Sequence, residues 1–270
     1  MIIGEVGLNH LGSEDYANEY VNFHLNNNFE CLSFQIRENK FYQREEKKHL
    51  QLDVSYYEKT VDNYCNTENK KIGLSVSNLD SIKNIINLKF DFYKILSIAS
   101  KDINLIDTLL EKTNSDIYIS IGSLDLIGIN KIIEMYISNK RVKFNYTQLS
   151  YNSENINFLN LLDFASKYKN KFSYGHHYTN DIPIILSKSI KNCDIFIYLK
   201  GLKKVKHPDD MHAIDFKNFT SLLIKISEID QILGIKGKFF SSMSYASRFI
   251  YRGTFTSNDL SYKSEYSPTV

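Results

Sequence analysis

The chain has little of what a stapled, secreted or fibrous architecture needs. Its three cysteines, Cys31, Cys65 and Cys193, are odd in number, far apart and in no C-x-x-C pair, so a disulfide framework and a zinc ribbon both lack their residues. A reducing cytoplasm is the expected compartment. Proline and glycine are scarce, 3 and 11 in 270 residues, which excludes a collagen-like chain and blurs the turn signals. No apolar run reaches about 18 residues, so no membrane-spanning helix is expected. The opening Met1-Ile2-Ile3-Gly4-Glu5 carries no basic leader, and a secretory signal is not expected either. Neither sign of charge dominates: 33 Lys and Arg stand against 31 Asp and Glu, a net of +2, so a nucleic-acid partner is not implied.

What remains is an ordinary globular composition, 43% hydrophobic and 24% charged, long enough for a sizeable core. Short β-rich runs alternate with longer runs of helical period, the pattern of a βα repeat around a parallel sheet. The strands are expected at 2–6, 31–36, 72–76, 92–97, 117–121, 142–146, 172–175 and 195–199. The helices are expected at 15–25, 54–64, 79–86, 104–110, 125–137, 156–168, 182–190 and 216–233. Ser13, Asp53, Asn78 and Asp215 stand as caps before four of these. Eight strands each followed by a helix predict a (β/α)8 barrel over residues 1–233, with a doubly wound open sheet as the alternative because periodicity does not show closure. Barrels take roughly 250 residues, and the polar-aromatic stretch 234–270 is the excess, a short C-terminal arm. The polar segment 37–52 would lie at the C-terminal rim as a flap or as a tolerated surface insertion.

On a barrel, polar residues at the C-terminal ends of strands face the mouth. Strand one ends in Glu5-Val6-Gly7-Leu8-Asn9-His10, and strand four carries Lys94 on an otherwise apolar run. A buried cation is costly unless it meets an anion, so Lys94 points either to a structural pair with Glu5 or to an anionic ligand. Ser75, Ser77, Ser97, Ser120 and Ser123 supply hydroxyls, strand six ends in Asn145-Tyr146-Thr147-Gln148, and strand seven in Gly175-His176-His177. One point charge ringed by neutral donors suits a phosphorylated small molecule.

These residues carry a resemblance. Glu5-Val6-Gly7-Leu8-Asn9-His10-Leu11-Gly12-Ser13 resembles the E-I-G-x-N-H-x-G-S opening of the sialic (nonulosonic) acid synthase family. In the same order, Leu32-Ser33-Phe34-Gln35 resembles V-K-F-Q, and Tyr93-Lys94-Ile95-Leu96-Ser97 resembles Y-K-I-x-S. Ile119-Ser120-Ile121-Gly122-Ser123 resembles L-S-T-G-M, Tyr174-Gly175-His176-His177 resembles Y-S-D-H, and Pro208-Asp209 matches part of G-P-D. The stretch from Ile250-Tyr251-Arg252-Gly253 to Asp259-Leu260 is similar to the start of the family's C-terminal antifreeze-like domain.

The resemblance implies a TIM barrel that condenses phosphoenolpyruvate with an N-acetylmannosamine-type sugar for surface-glycan synthesis. It implies Lys94, Ser97 and Ser120 as contacts for the phosphate and carboxylate of phosphoenolpyruvate, with Gln148 as a further polar contact. Asp209 would bind the sugar hydroxyls, and Glu5 would hold or deprotonate a water, with Asn9 and His10 beside it in the opening motif. His177 would be one of two histidine ligands to a divalent ion, manganese or magnesium. It also implies a homodimer, although the exchanged domain of such dimers is cut short here. Three positions depart from the pattern. The strand-two lysine is Ser33, for which Arg37 could substitute from nearer the rim. The serine of Y-S-D-H is Gly175. The strand-eight E-K-H-F-T, source of the second metal histidine, reads Ile197-Tyr198-Leu199-Lys200-Gly201, leaving Lys200, His176, His207 or His212 to supply what is lost. A catalytically impaired homologue that binds a sugar or a partner subunit is the alternative function.

Overall fold

The strands form because their side chains are buried on both faces, inward against one another and outward against helices. In the computed structural model, which describes residues 1–67, 69–168 and 171–234, these are β1 (Ile2–Gly7), β2 (Cys31–Gln35), β3 (Lys71–Val76), β4 (Phe92–Ile95), β5 (Asp116–Ser120), β6 (Val142–Thr147), β7 (Phe172–His176) and β8 (Asp194–Lys200). Each pairs parallel with the next, and β1 also pairs with β8. That last ladder closes the sheet into an eight-stranded barrel and removes the open-sheet alternative. A two-residue strand β9 (Ile214–Asp215) extends from β8.

The helices are α1 (Glu14–Asn26), α2 (Asn39–Tyr42), α3 (Val54–Cys65), α4 (Ile103–Lys112), α5 (Leu126–Tyr136), α6 (Phe158–Lys167), α7 (Ile182–Lys188) and α8 (Phe216–Leu233). Ser13 and Asp53 accept from the amides of Tyr16 and Ser55 at the starts of α1 and α3, and Asp215 does so for Asn218 in α8. Such caps contribute about 1 kcal/mol each. The expected helix at 79–86 is instead a 3-10 turn, Asp80–Ile82, capped by Asn78 and followed by further turns. Its amides reach back mostly three residues, Ile82 to Leu79 and Ile85 to Ile82, and its isoleucines and asparagines are weak helix formers. The periodicity there reported burial of Ile82 and Ile85 rather than α geometry.

The barrel interior is layered. At the bottom, Ile3, Cys31, Phe92, Tyr118 and Phe196 form a separate apolar cluster. Phe92, Tyr118 and Phe196 meet edge to face with centroids 5.0 to 5.9 Å apart, a packing worth about 0.5–1.5 kcal/mol per pair beyond burial. Above this plug the inward residues turn polar. Glu5 lies in register with Ser33 and Tyr198, Ser75 with Lys94, and Ser120 with Asn145.

Segment 37–52 is folded onto the rim. It contains α2 and a 3-10 turn, Lys48–Leu50, and buries Phe41, Tyr42 and Leu50 against Leu8. The Arg37 amide donates to the Tyr42 hydroxyl at 3.1 Å. The chain divides after Gln231, and the expected arm and antifreeze-like stretch fall, from 235 on, outside the described residues. No described helix is long and apolar enough to cross a membrane.

Candidate active site

Glu5 and Lys94 pair in the middle of the barrel, with side chains only 3% and 4% exposed. The expected ion pair is therefore present. Ser75 Oγ donates to the same carboxylate oxygen at 3.4 Å, and the other oxygen, Oε2, is buried without a partner. Lys94 Nζ also stands 4.7 Å from the Phe196 ring and 5.7 Å from Tyr198, so aromatic faces share in stabilising the cation.

Asp209 joins this pair from the loop after β8. Burial, then the negative charge of Glu5, push its carboxyl up to about 7, while Lys94 pulls the other way. Asp209 is thus poised to change protonation near neutral pH. Its placement is fixed by Asn9, whose side chain donates to Leu199 O at 2.8 Å and accepts from the Asp209 amide at 3.1 Å. Asn9 is committed to backbone and acts as a positioning residue. His10 is fully buried; its Nδ1 accepts from the Gly12 amide at 3.0 Å, which puts the ring proton on Nε2, an atom with no partner. Burial lowers His10 to about 3.

His177 lies over the same mouth. Burial, then His212 and Lys94, hold it well below the ordinary histidine range. The His212 ring is 4.4 Å from that of His177, and Tyr198 lies 5.3 and 4.7 Å from the two. Both His212 nitrogens are buried without hydrogen-bond partners. His212 thus stands beside His177, although it comes from the loop after β8 and not from β8 itself, where the resemblance would put a second histidine. His207 bonds the Tyr16 hydroxyl at 2.7 Å, His176 shares a bond with Tyr174, and Lys200 pairs with Asp210 at 3.2 Å.

The remaining residues divide. Ser120 and Ser173 sit on the interior wall, linked through Asn145 at 3.4 and 3.0 Å. Ser97 opens a 3-10 turn, Ser97–Ala99, at the end of β4. Arg37 forks onto Glu38 at 3.0 and 3.1 Å and stacks 4.4 Å over Phe41, so its charge is compensated beside it. Gln148 donates to the Tyr146 hydroxyl at 3.1 Å, on the side where Tyr146 meets Phe164 of α6. Thr147, of opposite parity, has a buried hydroxyl with no partner. At Gly175, where the resembled motif has a serine, a β-carbon would lie 2.7 Å from Asn145 Nδ2, so a serine there would require the Asn145 side chain to shift.

Among the described residues, no three His, Cys, Asp or Glu side chains already form a metal cage. His177 and His212 are adjacent, and burial favours the neutral form of both imidazoles, the form that ligates metal ions.

His10 and His24 make stability sensitive to acid. His24 is buried between Tyr64 and the Phe29 carbonyl, and burial lowers it to about 4. A histidine with a depressed folded pKa contributes stability above its unfolded value near 6.5, and this is lost as pH falls. Each site should lose about 2–3 kcal/mol between pH 7 and 4.5. Urea unfolding at the two pH values checks this, and His24→Gln should flatten the slope; an unchanged slope would reject His24 as its source.

No curated protein matches the chain. Among the solved structures that share its fold are three polysaccharide or sialic acid biosynthesis proteins. The sialic acid synthetase of Leptospira borgpetersenii superposes with a TM-score of 0.78 at 18% identity, over 90% of this chain and 87% of that one. A putative spore coat polysaccharide biosynthesis protein E from Chromobacterium violaceum gives 0.76 at 14%, over 91% and 78%. SpsE of Bacillus subtilis gives 0.72 at 15%, over 86% and 68%. The family model for NeuB matches residues 19–238, a span from α1 to beyond α8 that includes Lys94, His177, Asp209 and His212, and the chain belongs to the NeuB family.

Proposed function

We propose that this chain condenses phosphoenolpyruvate with an N-acetylmannosamine-type sugar, giving a nonulosonic acid and inorganic phosphate for surface-glycan synthesis. The observation that carries the reading is the buried Lys94–Glu5 pair, ringed by hydroxyls, with Asp209 and His177 above it. Lys94 binds the anionic groups of phosphoenolpyruvate, assisted by Ser97 and Ser120, while Arg37 stands at the rim. Asp209 holds the acceptor's hydroxyls, and Asn9 holds Asp209. A new bond forms between C3 of phosphoenolpyruvate and the open-chain sugar's carbonyl carbon, whose oxygen takes a proton. Water then adds at C2, losing its proton toward the free oxygen of Glu5, and the C2–O–phosphate bond breaks to release phosphate. A manganese or magnesium ion, held by His177 and His212, would polarise the sugar carbonyl when bound. Gln148, turned toward Tyr146, has no part in this arrangement. A cytoplasmic location and a homodimer belong to the same proposal.

Phosphate release from phosphoenolpyruvate, followed while Mn2+ is titrated, is the test. Release should require an acetamido sugar, and retained sugar binding without release from any such sugar would leave a non-catalytic homologue. His212→Ala should weaken Mn2+ binding, read by electron paramagnetic resonance, at least about tenfold; an unchanged affinity would remove His212 from the ligand set.

A further inference from the structure

The condensation proposed above leaves one proton without a source, the one taken by the acceptor's carbonyl oxygen. Tyr198 stands where such a donor is needed. It lies on β8 in register with Glu5, and alternation along the strand turns it into the barrel with Phe196 rather than outward with Ile197 and Leu199. Its ring meets those of His177 and His212 edge to face at 5.3 and 4.7 Å, and Lys94 Nζ is 5.7 Å away. The phenol and Asp209 come together over Gly7: a β-carbon built there would lie 2.9 Å from both Tyr198 Cε1 and Asp209 Oδ2. Glu5, Lys94, Asp209, His177 and His212 therefore all border one ring.

Packing accounts for an aromatic ring at this position but not for its hydroxyl. Tyr198 is 5% exposed, yet its hydroxyl makes no hydrogen bond among the described residues. Tyr16, Tyr20, Tyr118 and Tyr146, also buried, use theirs on protein partners, as buried tyrosines usually do. Burial, then the charges of Glu5 and Asp209, hold the Tyr198 phenol well above the ordinary tyrosine range, with Arg37 opposing. It therefore stays protonated and can donate. The same two carboxylates disfavour an anion beside the hydroxyl. A neutral oxygen is the acceptor that fits, and of the two substrates the sugar supplies it.

We propose that Tyr198 is a catalytic residue of this site, its hydroxyl donating to the carbonyl oxygen of the open-chain acceptor sugar. The inference rests on the condensation reading. As the bond from C3 of phosphoenolpyruvate forms, the C=O electron pair moves onto the oxygen, which takes the phenol's proton. The water that adds at C2 passes one proton through Glu5 to the phenolate, and its second proton leaves with the phosphate. Tyr198 is restored, and no proton is gained or lost.

Tyr198→Phe keeps the ring and removes only the hydroxyl. It should lower kcat for phosphate release at least about 10²-fold, the scale of one preorganised donor at an oxygen where charge develops. The KM for phosphoenolpyruvate and the urea midpoint should hold, since no hydrogen bond of the free protein is lost. A second measurement needs no turnover: full-length protein labelled with 13Cζ-tyrosine is titrated with N-acetylmannosamine alone, and the resonance missing from Tyr198→Phe identifies Tyr198. The sugar should shift that resonance saturably, whereas its methyl glycoside, which cannot open to a carbonyl, should not. Wild-type kcat in Tyr198→Phe would overturn the proposal. So would a kcat loss matched by a fallen urea midpoint, which marks a packing role, and so would no saturable shift or an equal shift by the glycoside. A wild type that releases no phosphate with any acetamido sugar, but whose Tyr198 resonance still answers the free sugar alone, would sink the condensation reading and keep the sugar as this hydroxyl's ligand.

Discussion

Lys94→Met should lower the unfolding free energy by about 3–5 kcal/mol, because it leaves a buried carboxylate without its counter-charge. Among the described residues, Ser75 Oγ, at 3.4 Å, would be the only remaining partner of Glu5, whose second oxygen already has none. The same change should reduce phosphate release by at least about 10²–10³-fold, the scale on which a buried electrostatic donor acts in catalysis. The two losses separate in the double variant. With Glu5→Gln added, no charge is left uncompensated, so most of the stability should return while turnover stays lost. Urea denaturation and a phosphate assay on the three variants check this. Full turnover in Lys94→Met would remove Lys94 from the substrate site, and no recovery in the double variant would mean that the pair is not the source of the penalty.

Gly12→Ala should destabilise the protein by about 2–5 kcal/mol, combining left-handed backbone strain with overpacking. Gly12 has φ +70°, directly after Leu11 at +57°, and a β-carbon there would overlap the backbone carbonyl oxygen of His49. No side-chain rotation relieves a clash with backbone. The turn after β1 and the folded 37–52 segment must move apart, which uncovers Leu8, Phe41, Tyr42 and Leu50. Trypsin cleavage at Arg44, Lys47 and Lys48 should therefore accelerate, since proteolysis of a locally opened segment follows the open population. Unchanged cleavage and stability would show that the segment does not rest on Gly12. The glycine of the opening motif thus has a mechanical reason: it is where the flap lands.

Most of the barrel was legible because strands buried on both faces read as continuous apolar runs, and all eight appear where those runs lie. Closure was not legible, since nothing local in Ile2–Gly7 reports pairing with Asp194–Lys200. Segment 37–52 looked like a polar loop because its three anchoring side chains are spaced irregularly among charges. At the site, Glu5, Lys94 and His177 were recognisable as polar residues on or just past strands, whereas Asp209 came forward only through the resemblance of Pro208-Asp209 to a family motif. His212 was not placed beside His177 by any spacing, because the two meet only through the path of the loop after β8. Arg37 and Gln148 show the converse limit: parity and motif brought them forward, but their partners, Glu38 and Tyr146, are settled by local geometry. Ser173 and Thr147 were passed over because single hydroxyls carry no signal without their neighbours.

The aromatic plug of Phe92, Tyr118 and Phe196 makes the mouth a blind well with one doorway. Lys94 lies just above its floor, while Asp209 and His212 belong to the loop at its brim. Whatever reaches Lys94 must enter first and, if it stays whole, leave last. For the proposed reaction this imposes an ordered sequence, phosphoenolpyruvate before sugar, and an excess of sugar should trap the first substrate in the well rather than compete with it.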